Sequence, residues 1–159
     1  MVTAASLQDQ LSQKVRELSQ IVSPLSEEQA SSPLAPGEWC VKEVLSHLMG
    51  EETQGFIGGI KRFVEADNPV IDVTPGVTFF EQRRGKSARE LMSQVEARYS
   101  EIGRFVGGLT EDQLSRKATI PLLKETPLGE NVTLAQWTGA LINFHLNDHI
   151  GQLRTLTQA

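Results

Sequence analysis

The chain has a single cysteine, Cys40, in 159 residues. An intrachain disulfide is therefore excluded, as is any cysteine-rich zinc site, and the usage suits a reducing cytoplasm. Long runs of like charge are missing as well. The formal net charge of -5 is spread along the chain, so no polybasic surface is advertised for nucleic acid or anionic lipid. No window approaches the roughly 18 uninterrupted apolar residues of a membrane helix. The segment from Met1 to Leu11 lacks the basic and then apolar order of a secretory signal. These absences predict a cytoplasmic protein with neither nucleic acid nor membrane as a partner. Histidine is scarce too, with three in the chain, at His47, His145 and His149.

What is present fits one core-forming unit. With 39% hydrophobic residues, residues 1–159 suffice for one domain and are too few to suggest two. Leu7, Leu11, Val15, Leu18 and Val22 recur at three- and four-residue steps and predict a first amphipathic helix over 6–22, with Ser6 as its cap. The stretch 23–37 contains Pro24, Pro33 and Pro36 and a capping box from Ser26 to Gln29, which makes it a connector with one helical turn inside. A second helix is expected from Trp39 to Ala66, with Val41, Val44, Leu45, Leu48, Phe56 and Phe63 on its apolar arc. Asp67-Asn68-Pro69 ends it. Cys40 occupies its cap position opposite Glu43, and sulfur is a poor acceptor for that role. Gly55, Gly58 and Gly59 thin its middle, either for close helix approach or to leave room for a ligand.

Residues 68–86 read as a loop, with a short strand pair around Pro75-Gly76 as an option. A third helix starts at the Ser87 to Glu90 capping box, carries Leu91, Val95, Ile102 and Val106, and stops at Gly107-Gly108. Thr110 to Gln113 repeats the box of Ser26 to Gln29. Residues 116–132 form a Pro- and Gly-bearing loop, and the Thr133 to Gln136 box launches a fourth helix that runs to Thr157. Four helices of about 16 to 28 residues make an all-α four-helix bundle with long connections the expected architecture. Connections of that length free sequence neighbours from antiparallel pairing.

On the fourth helix, His145 and His149 stand one turn apart on one face, with Gln152 almost on the same line. Leu134, Leu141 and Leu156 fall within roughly 40° of His145, while Gln136, Asn143, Asn147 and Arg154 gather opposite. Both imidazoles thus point into the apolar stripe. Burying them side by side is costly unless each is partnered, and a shared divalent metal is one partner that satisfies both. His47 lies about eight residues from the start of the second helix and His149 about eight from the end of the fourth, each some 12 Å in. If these helices run antiparallel side by side, the three imidazoles can meet at one height. Three neutral imidazoles leave a tetrahedral ion one position short, which is the pattern of a catalytic or substrate-binding metal. The plainer alternative for each residue is a hydrogen-bonded or solvated histidine.

The segment Trp39-Cys40-Val41-Lys42-Glu43-Val44-Leu45-Ser46-His47-Leu48, followed far downstream by His145-x-x-x-His149-x-x-Gln152, resembles the DinB-like superfamily of metal-binding four-helix bundles. The likeness covers nearly the whole chain in helix order, helix count and loop length. It implies an up-down-down-up bundle, metal ligation by His47, His145 and His149, and zinc or nickel with open positions for water or substrate. Homodimers are common among such relatives, and Phe79-Phe80 reads as an exposed apolar pair suited to that contact. Members with known activity are mostly thiol-dependent: transferases of bacillithiol or glutathione, and a mycothiol-dependent maleylpyruvate isomerase. Cys40 departs from the Ser or Thr common in relatives, which bears on the cap and not on the metal.

The expected function is a divalent-metal-dependent thiol S-transferase acting on a small molecule, with a low-molecular-weight thiol as cosubstrate. A metal-dependent hydrolase and a non-catalytic small-molecule binding or sequestering protein are the alternatives. Glu51, one turn past His47 on a continuous second helix, is the candidate catalytic base, against the plainer reading of a solvated carboxylate. Gln152 is either an orienter of an imidazole or a polar boundary residue. Zinc proteases of the His-Glu-x-x-His type carry a Glu base directly after the first histidine. Leu146 stands there, which sets that reading aside. Trp39 and Trp137 read as core aromatics.

Overall fold

Thr3, Ser26, Ser87, Thr110 and Thr133 each accept a hydrogen bond from the backbone N–H three residues on, and a helix starts at each. The side chain three residues on returns the bond in every case, so two otherwise orphaned donors are satisfied per box. The computed structural model describes residues 2–158. Its elements are α1 (Ala4–Val22), α2 (Glu27–Ser31), α3 (Val41–Met49), α4 (Gly55–Glu65), α5 (Ala88–Gly107), α6 (Glu111–Leu114), β1 (Lys117–Thr119), β2 (Asn131–Thr133), α7 (Leu134–Ala140) and α8 (Asn147–Thr157). A π-helical segment, Leu141–Leu146, joins α7 to α8 without interruption, and short 3-10 turns lie at Phe80–Arg83 and Pro121–Leu123. The first cap is Thr3 and not Ser6, which instead supplies the returning hydroxyl of the box.

The long helices form a four-helix bundle in which α1 packs on α5 and α8, and α3 packs on the same two. Side chains fix the directions. Gln8, early in α1, lies against Gly103 and Gly107, late in α5, so these two are antiparallel. Arg154 pairs with Glu17, late in both α8 and α1, so that pair is parallel. Glu27 accepts from Lys42 Nζ at 2.6 Å and from the Ala88 N–H at 2.9 Å, which places the starts of α3 and α5 side by side and makes them parallel. Trp39, before α3, meets His149, while Phe56, in α4, meets His145 further back, so the second and fourth helices are antiparallel. The order is up-down-down-up. Leu7, Leu18, Leu45, Phe63, Leu91 and Leu153 are among the side chains sealed in the shared core, each stabilising the fold by about 1.5–3 kcal/mol.

The second helix is not continuous. Its expected span, Trp39 to Ala66, is two helices separated by a bend over 50–54. Gly50 ends α3 at φ 69 and ψ -161, and Gly55 opens α4 at φ 54, both backbone conformations that favour glycine. Donors from elsewhere take the carbonyls this leaves. Leu48 O accepts from Tyr99 Oη at 3.0 Å, Met49 O from Arg98 Nη1 at 3.0 Å, and Ser46 O and Gly50 O from Arg83 at 2.9 and 2.7 Å. Two guanidinium groups at a helix C-terminus also suit its partial negative charge. The apolar arc hid the break because α3 and α4 both face the same core.

Residues 116–132, read as loop, include the antiparallel ribbon β1–β2 with Ala118 opposite Val132. Three-residue strands are too short to show a period of two in sequence. Val70 bridges to Thr119 instead of pairing around Pro75-Gly76. Phe79 and Phe80 are half-buried, and Phe80 packs on the core with Arg84 5.8 Å over its ring, so the exposed apolar pair expected there is not formed. Among the described residues, no helix is long and apolar enough to cross a membrane.

A Cβ at Gly55 would lie 2.6 Å from both Met49 O and Arg98 Nη1, in backbone that already disfavours a side chain. Gly55→Ala should therefore lower unfolding stability by about 2 kcal/mol, read by urea denaturation. An unchanged midpoint would mean that the bend is not a fixed feature of the fold.

Candidate metal centre

Three elements deliver the three histidines to one place. His47 comes from the last turn of α3, His145 from the π segment and His149 from the first turn of α8. The antiparallel run of the second and fourth helices brings them level, as their sequence positions require. Ring centroids are 5.1 Å apart for His47 and His145, 4.7 Å for His47 and His149, and 4.8 Å for His145 and His149. One ring nitrogen from each lies within 4.8 Å of the others. The π turn, which sequence periodicity did not reveal, widens the helix at His145. Asn143 and Asn147 side chains bond back to Gly139 O and Asn143 O at 3.0 Å each within this stretch, and π segments recur at functional sites.

Two of the three rings are held through their Nδ1 atoms. His47 Nδ1 lies 2.7 Å from Val77 O. A carbonyl only accepts, so Nδ1 carries the proton and Nε2 presents its lone pair. His149 Nδ1 donates in the same way to Gln152 Oε1 at 2.8 Å, which makes Gln152 an orienter of the imidazole. His145 Nε2 is buried without any partner among the described residues. Leaving a buried acceptor unpaired costs about 1–3 kcal/mol. Two imidazoles held by their Nδ1 protons, with the third offering an orphaned Nε2, form a donor set that fits one divalent ion.

Electrostatics agree with this. Burial pushes the His145 pKa down to about 3, helped by the neighbouring His149 and His47. Burial also lowers that of His47, against the Val77 hydrogen bond that raises it. Both are therefore neutral at pH 7, the form in which imidazole binds a metal.

Aromatic rings border the cluster. Trp39 is 5.0 Å from the His47 ring and stacks on His149 at 6.2 Å, and Phe56 stands edge-on to His145 at 5.2 Å. Trp39 is thus a wall of the site as well as a core-packing residue. A surface groove of about 550 Å³ between α4 and α5 shares Phe56 with these surroundings. Glu51 is not where a continuous helix puts it. It lies on the exposed bend after α3, and its backbone carbonyl accepts from Arg98 at 2.8 Å. Arg83, the last residue of the 3-10 turn and fully buried against this bend, is a residue that sequence reasoning missed. Nothing in the local pattern of residues 80–86 sets it apart from Arg84 beside it. Burial pushes the Cys40 thiol pKa up, so it is a poor nucleophile.

A family model described as the DinB superfamily matches residues 10–153. Among solved structures, the fold is similar to YfiT from Bacillus subtilis, described as a probable metal-dependent hydrolase with an unusual four-helix bundle topology. The TM-score is 0.77 at 20% identity, over 98% of this chain and 86% of that one. No curated protein matches the sequence.

Between about pH 6.5, where an unfolded imidazole protonates, and about pH 3, where His145 does so in the fold, the unfolded chain binds more protons. Stability therefore falls as pH drops through that window. The metal-free protein should show a denaturation midpoint that declines from pH 7 to pH 4, with a shallower decline for His145→Gln. Parallel profiles for the two proteins would contradict the assignment.

Proposed function

The chain belongs to the DinB superfamily, and on that premise we propose that it is a divalent-metal-dependent enzyme that activates a thiol for transfer to a small molecule. His47, His145 and His149 are the proposed ligands, and zinc or nickel the proposed metal. The observation that supports this most is the orphaned His145 Nε2, buried beside two imidazoles whose Nδ1 protons are already committed. A divalent ion there would supply Lewis acidity, lowering the pKa of a thiol or water that reaches it and polarising the substrate. Three protein donors leave room for that group.

The chain's own residues have distinct tasks in this reading. Val77 O and Gln152 Oε1 hold the rings in one tautomer. Trp39 and Phe56 narrow the approach and exclude water from the cluster. Glu51, exposed on the bend four residues beyond His47, is the proposed acceptor of the nucleophile's proton. The preference for a thiol over water follows from acidity. The donor cluster found among the described residues contains no carboxylate, and a thiol, with a pKa near 8.5, needs less help from a base than water does. Hydrolysis is the second reading, favoured by the description of the structurally similar YfiT.

Alanine at His47, His145 or His149 should each abolish stoichiometric metal in protein purified without a histidine tag. Affinity should fall by more than the roughly 10- to 100-fold of an outer-shell loss. Glu51→Gln should keep its metal and slow turnover by about a hundredfold. Full metal content in all three histidine variants would place the site elsewhere. The cobalt-substituted protein should gain a sulfur charge-transfer band when a small thiol is added, more readily as pH rises toward the free thiol's pKa. No spectral response to several biological thiols would remove the transferase reading and leave hydrolysis.

A further inference from the structure

We infer that Arg83 is a positioning residue of the metal centre, fixing His47 from two sides, an inference that rests on the reading of the three histidines as ligands. Its side chain is fully buried. Taking a guanidinium out of water is costly unless its donors are used, and here they are. Nε donates to Glu52 Oε1 at 2.7 Å, Nη1 to Ser46 O at 2.9 Å and Ser46 Oγ at 3.1 Å, and Nη2 to Gly50 O at 2.7 Å.

These acceptors bracket His47. Ser46 precedes it, and Gly50 ends its helix, with the Gly50 N–H returning to His47 O at 3.0 Å. One planar fork therefore grips the last turn of α3 on both sides of the histidine. A lysine ammonium, a point charge on a flexible stem, lacks that fixed geometry. The second hold comes through the chain that carries Arg83. Six residues upstream, Val77 O accepts the His47 Nδ1 proton at 2.7 Å. Between the two anchors Phe79 sits at φ 55 and ψ 18, left-handed backbone that an aromatic residue rarely adopts, and Thr78 Oγ1 accepts from the Phe80 N–H at 3.3 Å. Strained backbone of this kind persists where its surroundings over-determine it. Arg83 at one end and the His47 ring at the other supply that determination, so the same residue sets the helix turn and the strap that selects the tautomer.

Charge makes a purely stabilising role less economical. A buried cation near a site for a divalent cation repels it, and Glu52, itself half-exposed, is the carboxylate paired with it. The carbonyls of this buried helix end need donors in any case, and the fork that supplies them also fixes the turn that carries His47.

The test uses cobalt-substituted protein and paramagnetic proton NMR. The wild type should show slowly exchanging, hyperfine-shifted Nδ1–H signals from His47 and His149, the latter assigned by its loss in Gln152→Ala. Arg83→Lys, with far-UV circular dichroism unchanged, should bind cobalt roughly tenfold more weakly, and should lose the His47 signal to solvent exchange while keeping that of His149. Wild-type affinity with both signals intact in Arg83→Lys, even with a lower melting temperature, would overturn the inference and leave Arg83 a stabilising residue. Should Arg83→Lys not fold, Ser46→Ala removes one bond of the fork. It should weaken cobalt about fivefold with the same selective loss of signal, and no change would overturn the inference. A wild type that binds no cobalt overturns the metal reading first and this inference with it, so the two failures are distinguishable.

Discussion

The second helix of the bundle stops two residues after His47, inside the protein, and a helix that ends away from water must find donors for its last carbonyls. Much of the rest follows from how that demand is met. Tyr99 and Arg98 reach across from α5, and Arg83 comes from the loop that precedes it. These contacts fix α3 against α5, set the bend at Gly50 and redirect α4 so that Phe56 arrives beside His145. They also draw the segment around Val77 over the end of α3, where its carbonyl meets the His47 ring. A helix continuous from Trp39 to Ala66 would commit Ser46 O and Gly50 O, the acceptors that Arg83 uses, to its own N–H groups.

The three imidazoles are arranged by different means for a common end. His47 is held by a backbone carbonyl from a loop, His149 by a side chain one turn along its own helix, and His145 by its place in a π turn. Two Nδ1 protons are spent on orienting bonds, which leaves the Nε2 lone pairs free, while burial keeps His145 and His47 neutral. Hydrogen bonding to oxygen acceptors also raises the basicity of an imidazole toward a metal. The aromatic rings of Trp39 and Phe56 lower the local dielectric around the cluster, which strengthens any charge interaction made there.

The bundle and the histidine cluster were legible in the sequence because they depend on periodic signals. Capping boxes at Ser26, Ser87, Thr110 and Thr133 mark helix starts within a residue, and His145 and His149 stand out as polar residues on an apolar stripe. What the sequence hid depends on long-range partners. The break after Met49 is decided by Arg98 and Arg83, dozens of residues away, and Gly50 and Gly55 alone do not distinguish a bend from a closely packed helix. Glu51 stands one turn past His47 only on a continuous helix, and the bend over 50–54 carries it elsewhere. Thr3, the cap, precedes Leu7, the first residue of the apolar stripe, by a full turn, so the periodic pattern points to Ser6 instead. The π turn leaves no mark in a pattern read at 3.6 residues per turn. Gln152 could be assigned as an orienter only when its amide oxygen was seen 2.8 Å from His149.

If His47, His145 and His149 are the ligands, one divalent ion should sit among their Nε2 atoms. Crystals of protein purified with its native metal, measured on either side of the zinc and nickel absorption edges, test it most directly. One anomalous peak bonded to Nε2 of His47, His145 and His149 is expected, with the Nδ1 bonds to Val77 O and Gln152 Oε1 retained. No anomalous peak at the cluster, or a peak bonded to other residues, would contradict it.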